Sequence, residues 1–405
     1  MSAPESKMAV AEIQGIYGPF TFSEQLLQKI WAQGAYDQSR LCATDGVGIK
    51  VINPGKWNRL AGPDFKHARL QLGQAGERVG DVELHLRADD WVAHGHAKDP
   101  AYRNVILHVV LFPPRPGQVT RNGRGEPIPT LVLLPWLQHD LEEYAAEAAV
   151  ENLSNQTETG MQDRLRQMST ADLEAQLLAA SNRRWEQKRH FAGLRLGKVG
   201  WEEACHQTAL EILGYRYNRV PMLNLAMCHP MRDWAGSSAL PRDEFIALRE
   251  QKWNLSGVRP ANHPRKRLGQ YQHWIQACPD WPQRLLDLGG KLPQVPANES
   301  TREVRRAGEL SGWRVRLREA ITGSAMGGTR LDTLVCDGFL PLLASRRDDI
   351  NLFGLWYHWF LGDLPGRIVT ALRQIEPPGS GAVVLCQGRV QGLLGWMIEQ
   401  ELADH

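Results

Sequence analysis

Only six cysteines occur in 405 residues, at positions 42, 205, 228, 278, 336 and 386. No two form a C-x-x-C pair and no regular spacing links them, which excludes a disulfide framework and a cysteine-held zinc module. No apolar run approaches the ~18 residues of a membrane-spanning helix. The opening string MSAPESKMAVAEIQ lacks the basic and apolar regions of a secretory signal. The expectation is a cytoplasmic protein with reduced thiols and no membrane association. Also missing are H-E-x-x-H, G-x-S-x-G, a Walker loop and a G-x-G-x-x-G following a strand. There is no internal repeat and no low-complexity tract.

What is present is an ordinary globular composition, 42% hydrophobic and 23% charged, on a chain long enough for two or three domains. A net charge of +2 points to no partner, but its distribution is uneven. Residues 1–160 carry 15 Lys and Arg against 19 Asp and Glu, while 161–405 carry 32 against 26. An acidic front and a basic remainder fit an anionic substrate held by one part and modified by the other. Most of the fourteen tryptophans are expected in the core or at its rim.

Ser23 can cap a helix over FSEQLLQKIWAQ, closed by Gly34. Glu24 falls in its first turn, where a carboxylate suits the helix dipole. Residues 40–52 read as a turn around Asp45-Gly46 between strands. Gly62-Pro63-Asp64 opens a strand over Phe65–Leu72. Asp81–Leu86, DVELHL, alternates, with Asp81, Glu83 and His85 on one side and Val82, Leu84 and Leu86 on the other. Residues 88–103 are polar, with room for a turn or two of helix. Asn104–Phe112 reads as a buried central strand interrupted by His108, and Pro129–Leu134 as a last strand. From Pro135 the pattern becomes helical. Thr170–Arg189, with Thr170 as cap, Trp201–Leu213, Glu244–Lys252, Leu268–Ala277, Trp313–Thr322 and Gln387–Leu402 are helix candidates. The chain therefore reads as α+β, a mixed α/β domain over 1–153 and a mostly helical, basic domain over 161–405, parted by a polar linker at Ser154–Gly160.

Chemistry concentrates between Asn53 and Leu111. His85, His94, His96 and His108 lie within 24 positions, though the chain has only 13 histidines. Such crowding fits metal binding or acid–base work. Asp64 and Glu83 take the form P-D, eighteen residues, E-x-H. Two acids from neighbouring strands and a third polar residue two positions on can hold Mg²⁺ or Mn²⁺ and orient a water for phosphodiester hydrolysis. His94 and His96, as H-G-H, can ligate one ion from an extended segment. With His85 or His108 they would form a zinc-like set. The alternative is a polar loop whose histidines only hydrogen-bond Asp89, Asp90 or Asp99. Two basic stretches carry Arg183, Arg184, Lys188 and Arg189, and Arg259, Arg265, Lys266 and Arg267. Trp185, Phe191, Tyr271 and Trp274 lie nearby. Arginine beside aromatics suits a nucleic-acid backbone and stacked bases, and equally a solvated helix face.

The P-D…E-x-x pairing resembles the PD-(D/E)XK nuclease superfamily. That resemblance implies a restriction-endonuclease-like mixed sheet with flanking helices, Glu24 as the acid of the first helix, and Asp64 and Glu83 as the metal-binding acids. His85 stands where that superfamily usually has Lys, and a histidine is charged only part of the time near neutral pH. Longer strings carry a second resemblance. These are INPG…AGPDF…AR (Ile52–Arg69), GDVELH…DW…HGH…AY-x-NVILHVV (Gly80–Val110) and RPANHP…RL (Arg259–Leu268). They are similar to a bacterial family, domain of unknown function 2851, which implies no activity. The tail has no cysteine after Cys386, so a C-terminal metal site is not expected. Three functions remain open: a metal-dependent nuclease or phosphodiesterase acting on DNA or RNA, an inactive nucleic-acid-binding or scaffold protein of nuclease-like fold, and a histidine-ligated metal hydrolase.

Overall fold

The structure, a computed structural model, describes residues 22–74, 76–137, 141, 144–145, 148, 167–235, 253, 255, 258, 260–363, 373 and 384–403. The chain divides into two compact units, Met1–Ala145 and Ala146–His405. The Glu244–Lys252 helix expected from the sequence, and Arg259, lie outside the described residues.

The first unit is α+β. Helix α1 (Glu24–Gln33) starts where the sequence places it. Ser23 Oγ accepts from the Leu26 N–H, and Gly34 closes the helix in the left-handed conformation. Its Leu26, Leu27, Ile30 and Trp31 are buried and the helix packs on the central strand β4. The strands are β1 (Ile49–Asn53), β2 (Lys56–Trp57), β3 (Phe65–Leu72), β4 (Glu77–His85), β5 (Val105–Val110), β6 (Thr120–Arg121), β7 (Pro127–Ile128) and β8 (Thr130–Val132). The main sheet runs β1-β3-β4-β5-β8, with β2 also on β3. β1–β3 and β3–β4 are antiparallel, while β4–β5 and β5–β8 are parallel. A parallel step needs a crossover. Residues 86–104 supply it with helix α2 (Asp90–Ala93) and 3₁₀ turns at His96–Lys98 and Pro100–Asn104. Burial on both faces explains why β5 reads as a continuous apolar run, and Gly80–His85 of β4 is buried throughout.

β3 pairs with β4 irregularly between Phe65 and Ala68. His67 sits there at φ +58°, and its N–H is tied to Asp81 Oδ1 at 3.1 Å. Asp81 thus serves a bulge, and only Glu83 and His85 of its alternating set reach the centre described below.

The second unit is helical among the described residues: α3 (Thr170–Leu213), α4 (Tyr215–Cys228), α5 (Met231–Ala235), α6 (Pro264–Ala277), α7 (Trp281–Gly289), α8 (Thr301–Ala307), α9 (Leu310–Thr322), α10 (Gly328–Thr333), a π-helical turn at Leu334–Phe339, α11 (Leu340–Arg346), α12 (Phe353–His358) and α13 (Gln387–Ala403). Ser169, one residue before the expected cap, caps α3 through Asp172 N–H. The two helices read from 170 and 201 form one element broken at Gly200, whose φ of +79° interrupts the helix. Nine of the fourteen tryptophans are buried, and Trp234, Trp274, Trp281, Trp356 and Trp359 sit in this unit's core. The cysteines are all free. No described helix is long and apolar enough to cross a membrane.

Candidate active site and metal centre

Three acids and three imidazoles converge on the first unit's sheet. Asp64, just before β3, is gripped on both oxygens. Oδ1 accepts from Gln28 Nε2 at 2.7 Å and Oδ2 from the Leu84 N–H at 2.9 Å. Gln28 is oriented in turn, its Oε1 accepting from Trp57 Nε1 at 3.3 Å. The Asp64 N–H donates to Glu83 Oε2 at 2.9 Å. Each acid is therefore fixed by the other's strand. Glu24 comes from α1, where the Leu86 backbone hydrogen-bonds its carboxyl and His94 and His96 lie close enough to act on it. Sequence reasoning singled out Glu24, Asp64 and Glu83 but missed Gln28. The signal was its spacing: four residues after Glu24, it falls on the same face of α1.

Burial pushes the carboxyl groups of Glu24, Asp64 and Glu83 upward, and Glu83 and Glu24 add their repulsion at Asp64. Among the described residues no lysine or arginine pairs with any of the three. Among the described residues, ionising these carboxyls therefore meets desolvation and mutual repulsion with no cationic side chain in an ion pair to offset them.

The imidazoles line up behind it. His85 Nδ1 is 2.9 Å from His108 Nε2, and His85 Nε2 is 3.2 Å from His94 Nδ1. His96 Nε2 lies 3.3 Å from Glu83 Oε1, and His85 Nε2 3.7 Å from the same oxygen. His96 Nε2 is buried without a hydrogen-bond partner. One ligand atom each from His85, His94 and His96 fit within 4.8 Å of one another. Trp91 stands against His85, His96 and His108, and Tyr102 stacks on His96 at a ring separation of 3.8 Å. Desolvation, helped by the neighbouring imidazoles, holds His85 down to about 2 and His108 down to about 3. Both are neutral at physiological pH, so His85 does not supply the positive charge that a lysine would bring to its position.

Two details differ from the sequence expectation. His94 and His96 do not lie on an extended segment. His94 ends α2, and Gly95 at φ +75° turns the chain into the following 3₁₀ turn, which brings both rings to one side. His108, a candidate ligand that could equally be a hydrogen-bonded core histidine, has both ring nitrogens engaged, since its Nδ1 meets Thr120 Oγ1 at 3.0 Å. It lies behind His85 rather than beside it.

The basic stretches are built into the second unit. Arg183 forms a two-point pair with Glu399. Arg184, buried, donates to Gln391 at 3.2 and 3.1 Å. Lys188 pairs with Asp337 at 3.2 Å and Arg189 with Glu186 at 3.0 Å. Arg267, also buried, donates to Gln270 and Asn262 at 2.8 and 2.6 Å. Trp185, Tyr271 and Trp274 are core residues and offer no stacking platform. Arg265 and Lys266 remain exposed and line a cleft of about 500 Å³ with His263, Gln270 and His273.

A family model described as protein of unknown function (DUF2851) matches residues 24–239. The chain belongs to this family. The matched DUF2851 segment holds every site residue from Glu24 to His108 and ends before the second basic stretch. Searches of curated proteins and of solved structures find no match. The DUF2851 assignment names no reaction, so the chemistry has to be argued from the side chains.

Proposed function

We propose that the first unit is a metal-dependent hydrolase of phosphodiester bonds, with DNA or RNA as its substrate class. One observation carries this reading: Glu24 from a helix, Asp64 at the mouth of β3 and Glu83 from β4 converge, Glu83 buried and the other two half-buried, with no basic partner among the described residues. Such a site is costly by itself and is balanced by a divalent cation. Carboxylate oxygens suit Mg²⁺ or Mn²⁺. Once bound, the ion would polarise a phosphoryl oxygen and lower the pKa of a water. The chain's own groups fix the geometry. Gln28 and the Leu84 N–H prevent Asp64 from rotating. Glu83 presents Oε2 to Asp64 and Oε1 to the imidazoles. His94 is the exposed imidazole of the trio. Arg183, Arg189, Arg265 and Lys266 are the exposed members of the basic set, and Arg265 and Lys266, which line the cleft in the second unit, are the groups we assign to nucleic-acid backbone contact.

A second reading, a histidine-ligated hydrolase of a small substrate, draws on the imidazole trio. Cleavage of labelled single- and double-stranded DNA and RNA with Mg²⁺ or Mn²⁺ separates them. The reading expects cleavage by wild type and a loss of about 10³-fold or more in the Asp64→Ala, Glu83→Ala double variant. Absence of cleavage with every metal and substrate would remove the nuclease reading. Salt-dependent binding without cleavage would then favour a nucleic-acid-binding role.

A further inference from the structure

We infer that His85, His94 and His96, with Glu83 Oε1, form a transition-metal site of the zinc class, and that His108, Thr120 and Thr130 are its supporting outer shell. The inference rests on the second, histidine-ligated reading and names its ion, and it stands or falls on metal binding rather than on cleavage.

The separations carry it. A tetrahedral ion with bonds of ~2.0–2.1 Å holds its ligand atoms about 3.4 Å apart. Three edges here are 3.2 Å from His85 Nε2 to His94 Nδ1, 3.3 Å from His96 Nε2 to Glu83 Oε1 and 3.7 Å from His85 Nε2 to Glu83 Oε1. An independent observation points the same way. His96 is 8% exposed, its Nε2 has no hydrogen-bond partner, and the atom faces Glu83. A buried imidazole nitrogen left bare toward a carboxylate is what a ligand position looks like before the ion arrives. Three imidazoles and one carboxylate also favour Zn²⁺ over Mg²⁺, which prefers oxygen throughout.

The outer shell fits the same ion. His85 Nδ1 meets His108 Nε2, His108 Nδ1 meets Thr120 Oγ1, and Thr120 Oγ1 lies 3.1 Å from Thr130 Oγ1. All three supporting side chains are buried. Two proton orders satisfy this chain. When protons run from His85 toward Thr120, His85 Nε2 is left with a free lone pair aimed at Glu83 and His94. That order is the one a ligand needs, and a second-layer acceptor is what holds an imidazole in it. His108 is therefore a positioning residue and not a ligand.

The test uses the full chain, stripped with chelator and dialysed against Co²⁺ or Zn²⁺. Metal content and the visible absorption of the Co²⁺ form are recorded. About one ion per chain with the intense bands of a four-coordinate site is expected. His94→Ala removes a ligand from an exposed position, so its fold is preserved, and circular dichroism checks this. It should lose the four-coordinate spectrum. His108→Ala should keep the spectrum but weaken affinity about 10- to 100-fold. Asp64→Asn should still bind Co²⁺. A folded wild type that retains no Co²⁺, or a His94→Ala spectrum identical to wild type, overturns the site. Metal binding without nuclease activity leaves the site standing and removes the nuclease reading. Nuclease activity unchanged in a His94→Ala protein devoid of Co²⁺ and Zn²⁺ does the reverse.

Discussion

In the first unit, Asp64 and Glu83 lie side by side with Glu24 near, and their neighbours are imidazoles that burial keeps neutral. In the second unit, Glu211 is as buried as Glu83, yet Arg195 approaches it at 2.8 Å and Arg219 at 3.2 Å, and its carboxyl is held below the usual range against the desolvation that opposes this. Asp332 likewise meets Arg314 in a two-point pair, and Arg389 meets Glu174. The difference separates two uses of buried charge. Matched pairs stabilise a fold once it has formed, because removing either partner strands the other. A cluster of like charge cannot serve that purpose, and its cost is retained where a ligand or a reaction needs it.

Four experiments sharpen or break this contrast. The largest stability effect should come from Glu211→Gln, which leaves two arginines facing a neutral group. A loss of about 3–5 kcal/mol is expected in denaturant unfolding, and a loss under 1 kcal/mol would show that this pair is not structural. Next is His206 in the second unit. Its Nε2–H donates to the His229 carbonyl at 2.9 Å, while Nδ1 accepts from Tyr271 Oη at 2.7 Å, and burial lowers it from 6.5 to about 4. A lowered pKa means that the folded state binds fewer protons. The contribution is full above pH 6.5 and is lost as pH falls through about 4, roughly 3 kcal/mol in all. Unfolding midpoints of wild type should fall more steeply over that range than those of His206→Gln.

The first unit should respond in the opposite sense. Asp64 has a raised pKa, so its favourable state is the protonated one, present below its ordinary value and lost as pH rises through the folded value. In chelator, Asp64→Asn should be more stable than wild type by roughly 1 kcal/mol at pH 8, with the gap closing by pH 4. A destabilised variant at pH 8 would mean that the carboxylate is structural, and the contrast between the units would fail. The smallest effect on stability belongs to Gln28→Ala. It frees Asp64 Oδ1 and should lower cleavage about tenfold, ~1.4 kcal/mol in transition-state stabilisation, while the unfolding midpoint stays near that of wild type.

Local signals gave much of the first unit. Ser23 and Gly34 bracket α1 because capping is decided by a few adjacent residues. Phe65–Leu72 coincides with β3 because its alternation and flanking turns are local as well. The strings from Asp64 to His108 located the site because its residues lie close in sequence. Charged residues were less informative. Arg183, Arg184, Lys188, Arg189 and Arg267 look like one surface stripe in the sequence, but Arg184 and Arg267 are buried, and Arg183, Arg184 and Lys188 are engaged by partners as distant as Glu399, Gln391 and Asp337. Counting residues along a helix cannot reveal a partner two hundred positions away.

What the sequence alone determined was the α+β order of elements, the helix ends and the short span in which acids and histidines gather. These follow from backbone propensity, hydrophobic period and cap chemistry, which act over a few residues. What only the tertiary structure decided was which of those groups meet. The parallel placement of β5 beside β4 sets His108 behind His85, its Nε2 against His85 Nδ1. The turn at Gly95 brings His94 and His96 inward, and the docking of α1 on β4 delivers Glu24 and Gln28 to the acids of the strands. Those outcomes depend on strand pairing and packing across long separations, where one register among many brings these acids and imidazoles together.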